Sequence, residues 1–320
     1  MLRNALESLA LDPNDYLLGK SRHVSRTVTS DDTLPAAAFV SGGSLALDSP
    51  ANALQYAAYH SGDHKILIGT SSGDILICGT ALEIQSTMHL GQPISCMASA
   101  KLVPQSELEI VIGDSDGISV VMGGTHVLKQ SHVGGPVTAI AAYTGNDGNA
   151  EIVASNSQGM ITCLDVYGHT QWRMSLASAS EAHDGGMIRC IMVAKLLDMY
   201  SRASVYTLVL NRSKCLSFLS GNNLVLNLDL PSSCHTMCQG RFWKSKDANG
   251  AKNFDNPHFS QVALGGADGT IFLVDNFEVF EYSKIDFEIT VIDSIRLSDV
   301  DLVVCGGHFC SLLVFCQGRV

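Results

Sequence analysis

The chain has 320 residues, of which 46% are hydrophobic and only 16% are charged. This composition provides ample apolar material for a large core and excludes a disordered or collagen-like chain. The formal net charge is −11, from 20 basic and 31 acidic side chains, and the basic residues are scattered along the chain. Because nucleic-acid binding needs clustered positive charge, we expect no nucleic-acid partner. The apolar runs are only a few residues long, against the ~20 needed to cross a bilayer, so we expect no transmembrane segment.

Residues 1–35 are predicted to form an N-terminal segment that is partly helical or flexible. Leu2, Leu6 and Leu9 are spaced as on one face of a helix. Charged residues interrupt them, so this segment lacks the continuous apolar stretch of a secretory signal. We therefore expect a cytoplasmic protein whose ten cysteines are mostly buried thiols without disulfides.

From residue 36 onward, one pattern recurs: a short β-branched strand, a turn rich in Gly, Ser, Asp and Asn, and a second apolar strand. The turn glycines Gly73, Gly117 and Gly159 are about 42–44 residues apart, which is the length of a β-propeller blade. Glycine suits these turns because a tight hairpin requires a positive φ. Copies of the pattern occupy residues 66–78, 110–121, 152–165, 206–218, 262–275 and 302–315.

Another apolar segment precedes each hairpin and a short fourth strand follows it, as at residues 123–128 and 278–282. We therefore predict an all-β fold, a single β-propeller spanning residues 36–320 with seven blades of four antiparallel strands. Residues 36–47 would supply a strand, a turn and a strand for the seventh unit, and an N-terminal strand would join the last blade to close the ring. A pair of β-sandwiches is the competing interpretation.

The Trp-Asp dipeptide of WD repeats is missing, because Trp172 precedes Arg173 and Trp243 precedes Lys244. The acidic, glycine-rich turn and apolar triplet at residues 146–153 instead resemble FG-GAP repeats. Residues 268–276 and 305–315 resemble the terminal blades of the integrin-FG-GAP-repeat subunit of the KICSTOR scaffold, and BBSome propeller subunits look similar over the same stretch. The resemblance implies a non-catalytic scaffold protein.

Metal sites and active sites are not expected. Calcium loops of the FG-GAP type need an acidic ladder, but residues 144–148 have no Asp at its first position. The turn acids Asp114 and Asp268 are expected to bond their own backbone instead. Two Cys/His clusters, at residues 234–238 and 305–310, do not match the paired spacing of structural zinc. The chain also lacks a Gly-x-Ser-x-Gly turn, so we predict no catalytic residue and no cofactor.

An insertion at about residues 240–260 differs from the rest of this acidic chain because it combines basic and aromatic residues. Arg and Trp are frequent in interface hot spots, so we predict protein binding there. The alternative is a loop whose aromatic side chains pack on the blade. The residues assigned to this basic-aromatic patch are Arg241, Phe242, Trp243, Lys244 and Lys246.

The function that these observations favour is a non-enzymatic scaffold or adaptor subunit that binds other proteins of a larger complex. The KICSTOR resemblance implies a nutrient-signalling scaffold of the TOR pathway, located in the cytoplasm and peripherally at the lysosomal membrane. The BBSome resemblance implies a ciliary cargo adaptor instead. A propeller enzyme or small-ligand binder using the central channel is a third possibility. It predicts charged or aromatic residues at the starts of the innermost strands, and those strands look aliphatic in the sequence.

Overall fold

The computed structural model shows an all-β protein. The residues that it describes are 45–58, 64–79, 81–102, 109–122, 126–144, 150–176, 187–197, 202–212, 214–242, 260–275, 277–297, 300–307 and 313–315. Across these ranges the chain forms 23 strands in six antiparallel sheets, five with four strands and one with three. No helix in the described ranges is long and apolar enough to cross a membrane.

The first three sheets follow one another along the chain, and their strands are hydrogen-bonded in sequence order. Sheet 1 comprises β1 (Ala51–Ala58), β2 (His64–Thr70), β3 (Asp74–Cys78) and β4 (Ile84–His89). Sheet 2 comprises β5 (Cys96–Ala100), β6 (Glu109–Gly113), β7 (Ile118–Met122) and β8 (His126–Ser131). Sheet 3 comprises β9 (Val137–Thr144), β10 (Ala150–Asn156), β11 (Met160–Asp165) and β12 (Thr170–Ser175).

The last three sheets repeat the same order. Sheet 4 comprises β13 (Ile188–Leu197), β14 (Ala203–Asn211), β15 (Cys215–Ser220) and β16 (Asn223–Asp229). Sheet 5 comprises β17 (Cys234–Gly240), β18 (Gln261–Gly266), β19 (Thr270–Asp275) and β20 (Glu278–Lys284). Sheet 6 has the three strands β21 (Ile289–Leu297), β22 (Val300–Gly307) and β23 (Leu313–Phe315).

The first strand of each sheet contacts the first strand of the next, from β1 and β5 through to β17 and β21. The first strands are therefore innermost and the fourth strands outermost, which is the arrangement of propeller blades. The prediction of an all-β propeller is confirmed, and the sandwich alternative is wrong because each central sheet packs against a neighbour on both of its faces. The predicted count of seven blades is not reached by the six sheets of the described residues.

Apolar clusters between consecutive sheets hold the ring together. Residues on opposite faces of one sheet belong to different clusters: in sheet 4, Phe218 packs toward sheet 5 whereas Leu219 packs toward sheet 3. This follows from the period-2 alternation of side chains along a strand. Both faces of the second and third strands are thus buried, as in β6, β18 and β19, which accounts for their nearly continuous apolar sequences.

The predicted hairpin turns are present between the second and third strands. Gly73, Gly159 and Gly269 have φ values of 86°, 76° and 80°. In the weaker fourth repeat, Lys214 stands at the corresponding position and has a φ of 59°. The turn position predicted from the sequence therefore adopts a positive φ even where glycine is replaced.

Several predicted segments lie outside the described residues. They are residues 1–35, most of the predicted strand-turn-strand at 36–47, and residues 243–259 of the insertion. The insertion would connect β17, which ends at Gly240, to β18, which begins at Gln261.

Candidate protein-interaction site

The start of the insertion is fixed to the blade by backbone hydrogen bonds. Directly after β17, the Arg241 N–H donates to the Asp301 side chain at 2.9 Å, and the Asp301 N–H donates to the Arg241 carbonyl at 2.9 Å. Asp301 lies on β22, so the two bonds join sheet 5 to sheet 6. The chain therefore leaves the ring from a position that is held by two blades.

Phe242 is a core residue in the structure and contributes no surface to the basic-aromatic patch. Its side chain is 0% exposed and packs in the cluster between sheets 5 and 6. Its N–H donates to Gln261 Oε1 at 3.0 Å, and Gln261 Nε2 donates to Asp275 at 2.9 Å, so the buried polar groups are satisfied. The Phe242 ring also approaches Gly240 so closely that a Cβ there would lie 2.5 Å from it. The expectation that the Phe242 side chain faces a partner is corrected by this burial.

Of the five residues assigned to the patch, the structure describes only Arg241 and Phe242. Arg241 is partly exposed beside the buried Phe242. Trp243, Lys244 and Lys246 lie outside the described residues. Their part in protein binding stays a prediction.

A second group of polar residues lies at the starts of the innermost strands, where the sequence suggested an aliphatic surface. In five of the six sheets the first strand has a β-bulge near its start, which turns one residue out of the ladder. Several of these residues bond to the next blade: Asn52 Nδ2 donates to the Ile94 carbonyl at 3.0 Å. In sheet 2, the corresponding Ser95 Oγ donates to the Val137 carbonyl at 2.7 Å. The prediction that the inner strands are purely aliphatic is therefore wrong.

In sheets 4, 5 and 6 this inter-blade connection is made by charged groups. A guanidinium nitrogen of Arg189 on β13 contacts His235 Nδ1 on β17, and His235 Nε2 lies 2.8 Å from Glu288, just before β21. Because a guanidinium can only donate, this contact requires Nδ1 to accept, while Nε2 faces Glu288 without the geometry of a hydrogen bond. Burial lowers the pKa of His235, and the nearby Arg189 lowers it further. Burial, with repulsion from Arg212, also lowers the pKa of Arg189.

We expect His235 to make the fold less stable in mild acid, because its folded-state pKa lies below the value of about 6.5 expected in the unfolded chain. Its contribution is complete above about pH 6.5 and is lost as the pH falls through the lowered pKa, where an imidazolium would face Arg189 and Arg212 with only Glu288 to compensate. Between about pH 7.5 and pH 5, the melting temperature should therefore fall less steeply for His235→Gln than for the wild type. His169→Gln alters an exposed histidine and is the control. Equal slopes for His235→Gln and the wild type would contradict this assignment.

The Cys/His cluster at 234–238, for which no zinc site is predicted, brings its histidine against charged groups of neighbouring blades. His235 Nδ1 contacts the Arg189 guanidinium, and Nε2 lies 2.8 Å from a Glu288 carboxylate oxygen without hydrogen-bond geometry. Within the described ranges, no group of three or more His, Cys, Asp or Glu side chains is arranged to hold a metal ion. In the second Cys/His cluster, at residues 305–310, His308 and Cys310 lie outside the described residues.

The acidic turn residues bond their own backbone, as predicted. Asp114 accepts from the Asp116 and Gly117 N–H groups at 2.7 and 2.9 Å, and Asp268 accepts from the Thr270 N–H at 3.2 Å. These carboxylates therefore act as turn caps. Of the turn at residues 144–148, which has an incomplete acidic ladder, only Thr144 lies within the described residues.

We expect metal chelation to leave the stability of the protein unchanged. A metal bound only to the folded state would raise the melting temperature with its concentration, and removing it would lower that temperature. Differential scanning calorimetry with and without EDTA should give the same melting temperature. A fall of several degrees in EDTA, reversed by calcium or zinc, would contradict the expectation.

The described cysteines Cys96 on β5, Cys163 on β11 and Cys190 on β13 are poor nucleophiles. Burial raises the pKa of the Cys96 and Cys190 thiols to about 11 and that of Cys163 to about 12. A thiol with such a pKa is almost entirely protonated at neutral pH, and the thiolate is the reactive form. These thiols fill space in the core.

Comparisons with known proteins match the fold but not a family. No family model matches the sequence, and no curated protein matches it. Two solved structures of BBS1N in complex with ARL6DN, from crystals soaked with lead and with mercury, match this chain with sequence identities of 14% and 11%. Each has a TM-score of 0.62 and covers 85% of this chain and 79% of the other. The computationally designed Ika8 protein is 15% identical, with a TM-score of 0.53, and covers 85% of this chain and 72% of Ika8.

Proposed function

We propose that this protein is a non-catalytic scaffold or adaptor subunit that binds other proteins through the insertion between β17 and β18. The observation that carries the proposal is the way in which the insertion leaves the ring. Residues 241–260 connect β17 to β18, whereas residues 59–63 and 145–149 make the corresponding connections in sheets 1 and 3. Arg241 and Phe242 fix the start of this long connection without using the residues that follow. Loops of more than about 12–15 residues are uncommon in compact domains and are usually either functional or linker segments, and the ordered start of this one favours the first.

The surface composition supports an interaction role. Only 16% of the residues are charged, and large apolar side chains are exposed on the outermost strands, among them Leu224 and Val225 of β16, which are 46% and 50% exposed. Apolar surface of this kind is available for burial against partners. The raised thiol pKa values of Cys96 and Cys190 and the contacts of His235 with Arg189 and Glu288 give no support to an active site in the described residues.

The nature of the complex belongs to the same proposal. The resemblance of residues 268–276 to a KICSTOR subunit supports a nutrient-signalling scaffold of the TOR pathway, cytoplasmic and peripheral at the lysosomal membrane. The structural likeness to BBS1N, which was crystallised with ARL6DN, supports the alternative of a BBSome-like ciliary cargo adaptor. A ring of seven blades is likewise proposed, because the six sheets leave one interval, between sheet 6 and sheet 1.

An enzyme or small-ligand binder using the central channel is the second candidate. The charged group formed by Arg189, His235 and Glu288 at the starts of the inner strands favours it, since a small number of placed polar groups orients the ligand in a binding site. In this structure, however, these groups bond to one another and connect three blades. Loss of ligand binding without loss of stability in Arg189→Gln would support this second candidate.

The patch is tested by changing Trp243 and Arg241 together to alanine. We expect a nearly unchanged melting temperature and at least one protein partner that no longer co-purifies, since truncating an aromatic hot spot commonly costs ~2 kcal/mol or more of binding free energy. The matched control is Tyr167→Ala with Arg173→Ala, which removes an exposed aromatic and an exposed arginine from sheet 3. A much lower melting temperature would place Trp243 in the core, and retention of every partner would exclude the patch as an interface.

A further inference from the structure

The outermost strand of sheet 4, β16, has an apolar edge. In the part of the chain that the structure describes, β16 pairs with β15 on one side and with no strand on the other. Its sequence is Asn-Leu-Val-Leu-Asn-Leu-Asp, in which Leu224 and Val225 are 46% and 50% exposed. The unpaired N–H and C=O groups of such an edge are a template for pairing with another strand.

The other fourth strands have polar or charged residues near their centres. β4 has Gln-Ser-Thr there, β8 has Lys129, β12 has Arg173 and β20 has Glu281. Charged side chains on an edge strand oppose its pairing with a second chain. In β16 the centre is Leu-Val-Leu, and the one charged residue of the strand is Asp229, at its end. β16 therefore lacks a protection that other outer strands of the ring have.

The exposed residues of β16 are not needed to hold sheet 4 together. Leu226 is opposite Phe218 and packs against the cluster between sheets 4 and 5. Leu224 is opposite Leu219, so Val225 between them is the extra residue of a β-bulge and has no partner on β15. The exposed apolar surface of Leu224 and Val225 is thus available for a contact outside the ring.

We propose that β16 pairs with β16 of a second copy of this chain, in an antiparallel edge-to-edge contact with its two-fold axis at Val225. Residues 223–227 read Asn-Leu-Val-Leu-Asn, which is the same in both directions. Antiparallel pairing about Val225 places leucine opposite leucine and asparagine opposite asparagine. A two-fold interface needs this self-complementarity, because both copies use the same patch. A separate partner would not require it, so the sequence favours a second copy.

The charges allow two copies to meet at this edge although each chain has a net charge of −11. Residues 223–228 carry no charge. In the proposed register, Asp229 of each copy lies opposite Gly221 of the other. The two Asp229 residues are then roughly 26 Å apart at about 3.3 Å per residue, beyond the Debye length of about 8 Å at physiological salt. Because the paired segment is short and the interface is small, we expect a weak dimer that forms as the concentration rises.

A single cysteine at the axis tests the register. In the proposed pair, Val225→Cys brings two thiols opposite each other, with Cα atoms about 4.5–5.5 Å apart, which a disulfide can span. We expect the purified full-length variant to form a covalent dimer under mild oxidation, with mass spectrometry locating the bond between the two copies of residue 225. Ile84→Cys, at a position that is 47% exposed on β4, is the matched control and should form none. Equal covalent dimer from both variants, or none from Val225→Cys, would overturn the proposal.

Val225→Lys tests the association without a covalent bond. In sedimentation equilibrium, the apparent mass of the purified wild-type chain should rise with concentration from 34.1 kDa toward twice that value. Val225→Lys should keep the monomer mass and a nearly unchanged melting temperature, because a charged edge resists pairing. Ile84→Lys should associate like the wild type.

A wild-type chain that stays monomeric at every concentration would overturn the proposal, as would a dimer that survives Val225→Lys. If the chain is monomeric and Val225→Lys instead loses a co-purified protein, the edge belongs to a separate partner. The inference goes beyond the proposed role of the insertion. Because it is measured on the purified chain alone, each proposal can fail without the other.

Discussion

Replacing Phe242 by alanine should lower the free energy of unfolding by about 3–5 kcal/mol, the range measured for buried phenylalanines. The reason is the position of the ring, which is 0% exposed between sheets 5 and 6 and leaves a cavity bordered by residues of both when it is removed. Chemical denaturation with an unchanged m-value would show that the difference lies in stability rather than in the denatured state. The effect should therefore appear in the isolated protein, without any partner.

The matched control for this prediction is the adjacent residue. Arg241→Ala leaves the backbone bonds to Asp301 in place and should cost less than about 1 kcal/mol of unfolding free energy. If Phe242→Ala were also nearly neutral for stability and instead removed a partner, the ring would belong to the interface. That outcome would restore the prediction made from sequence.

Replacing Gly269 by alanine should lower the free energy of unfolding by about 2–4 kcal/mol. Gly269 has a φ of 80° in the β18–β19 hairpin, and an added Cβ would lie 2.0 Å from the Ile285 carbonyl oxygen. The Ile285 N–H donates to the Gly269 carbonyl at 2.9 Å, so the two segments cannot separate without losing a hydrogen bond. Equilibrium unfolding in urea measures the loss.

Gly221→Ala separates the cost of backbone strain at a positive φ from the cost of the close contact with Ile285. Gly221 also has a positive φ, of 57°, but nothing lies within 4 Å of the position that its Cβ would occupy. Its substitution should cost only the backbone strain, about 1 kcal/mol. If Gly221→Ala and Gly269→Ala were equally destabilising, the close approach of Ile285 would have no energetic consequence.

The sequence alone was sufficient to predict the repeating hairpin, because the turn conformation is a local property. The hairpin requires a positive φ at one residue, and glycine adopts this conformation readily. The glycines at positions 73, 159 and 269 therefore mark the turns in the sequence. Boundaries were predicted less well. The fourth strand of sheet 2 was predicted at residues 123–128 and is observed as β8, His126–Ser131. Strand ends depend on pairing with the neighbouring strand, which no single segment encodes.

The charged connection between blades was missed because it depends on how different sheets are placed side by side. Arg189, His235 and Glu288 are far apart in the chain and come together only when three consecutive blades align their first strands. A signal was nevertheless present. When the inner strands are aligned on their start, Ser95, Arg189 and His235 fall at one position, which is polar in each.

Phe242 shows a different limit of sequence analysis. An aromatic residue next to a basic one at the start of an insertion is equally typical of an interface and of the last core residue of a strand. The structure distinguishes the two because Phe242 packs with Ile271 and Val303 between sheets 5 and 6 and its N–H bonds to Gln261, and none of these contacts follows from local sequence.

The central claim, that this chain acts as a binding subunit through its insertion, is tested most directly by the size of the endogenous protein. We predict that in size-exclusion chromatography of a native lysate the wild-type chain elutes far above its own mass of 34.1 kDa. The same chain carrying Trp243→Ala and Arg241→Ala should shift toward that mass, while the Tyr167→Ala, Arg173→Ala control stays in the large species. Elution of the wild-type chain at about the monomer mass would contradict the account.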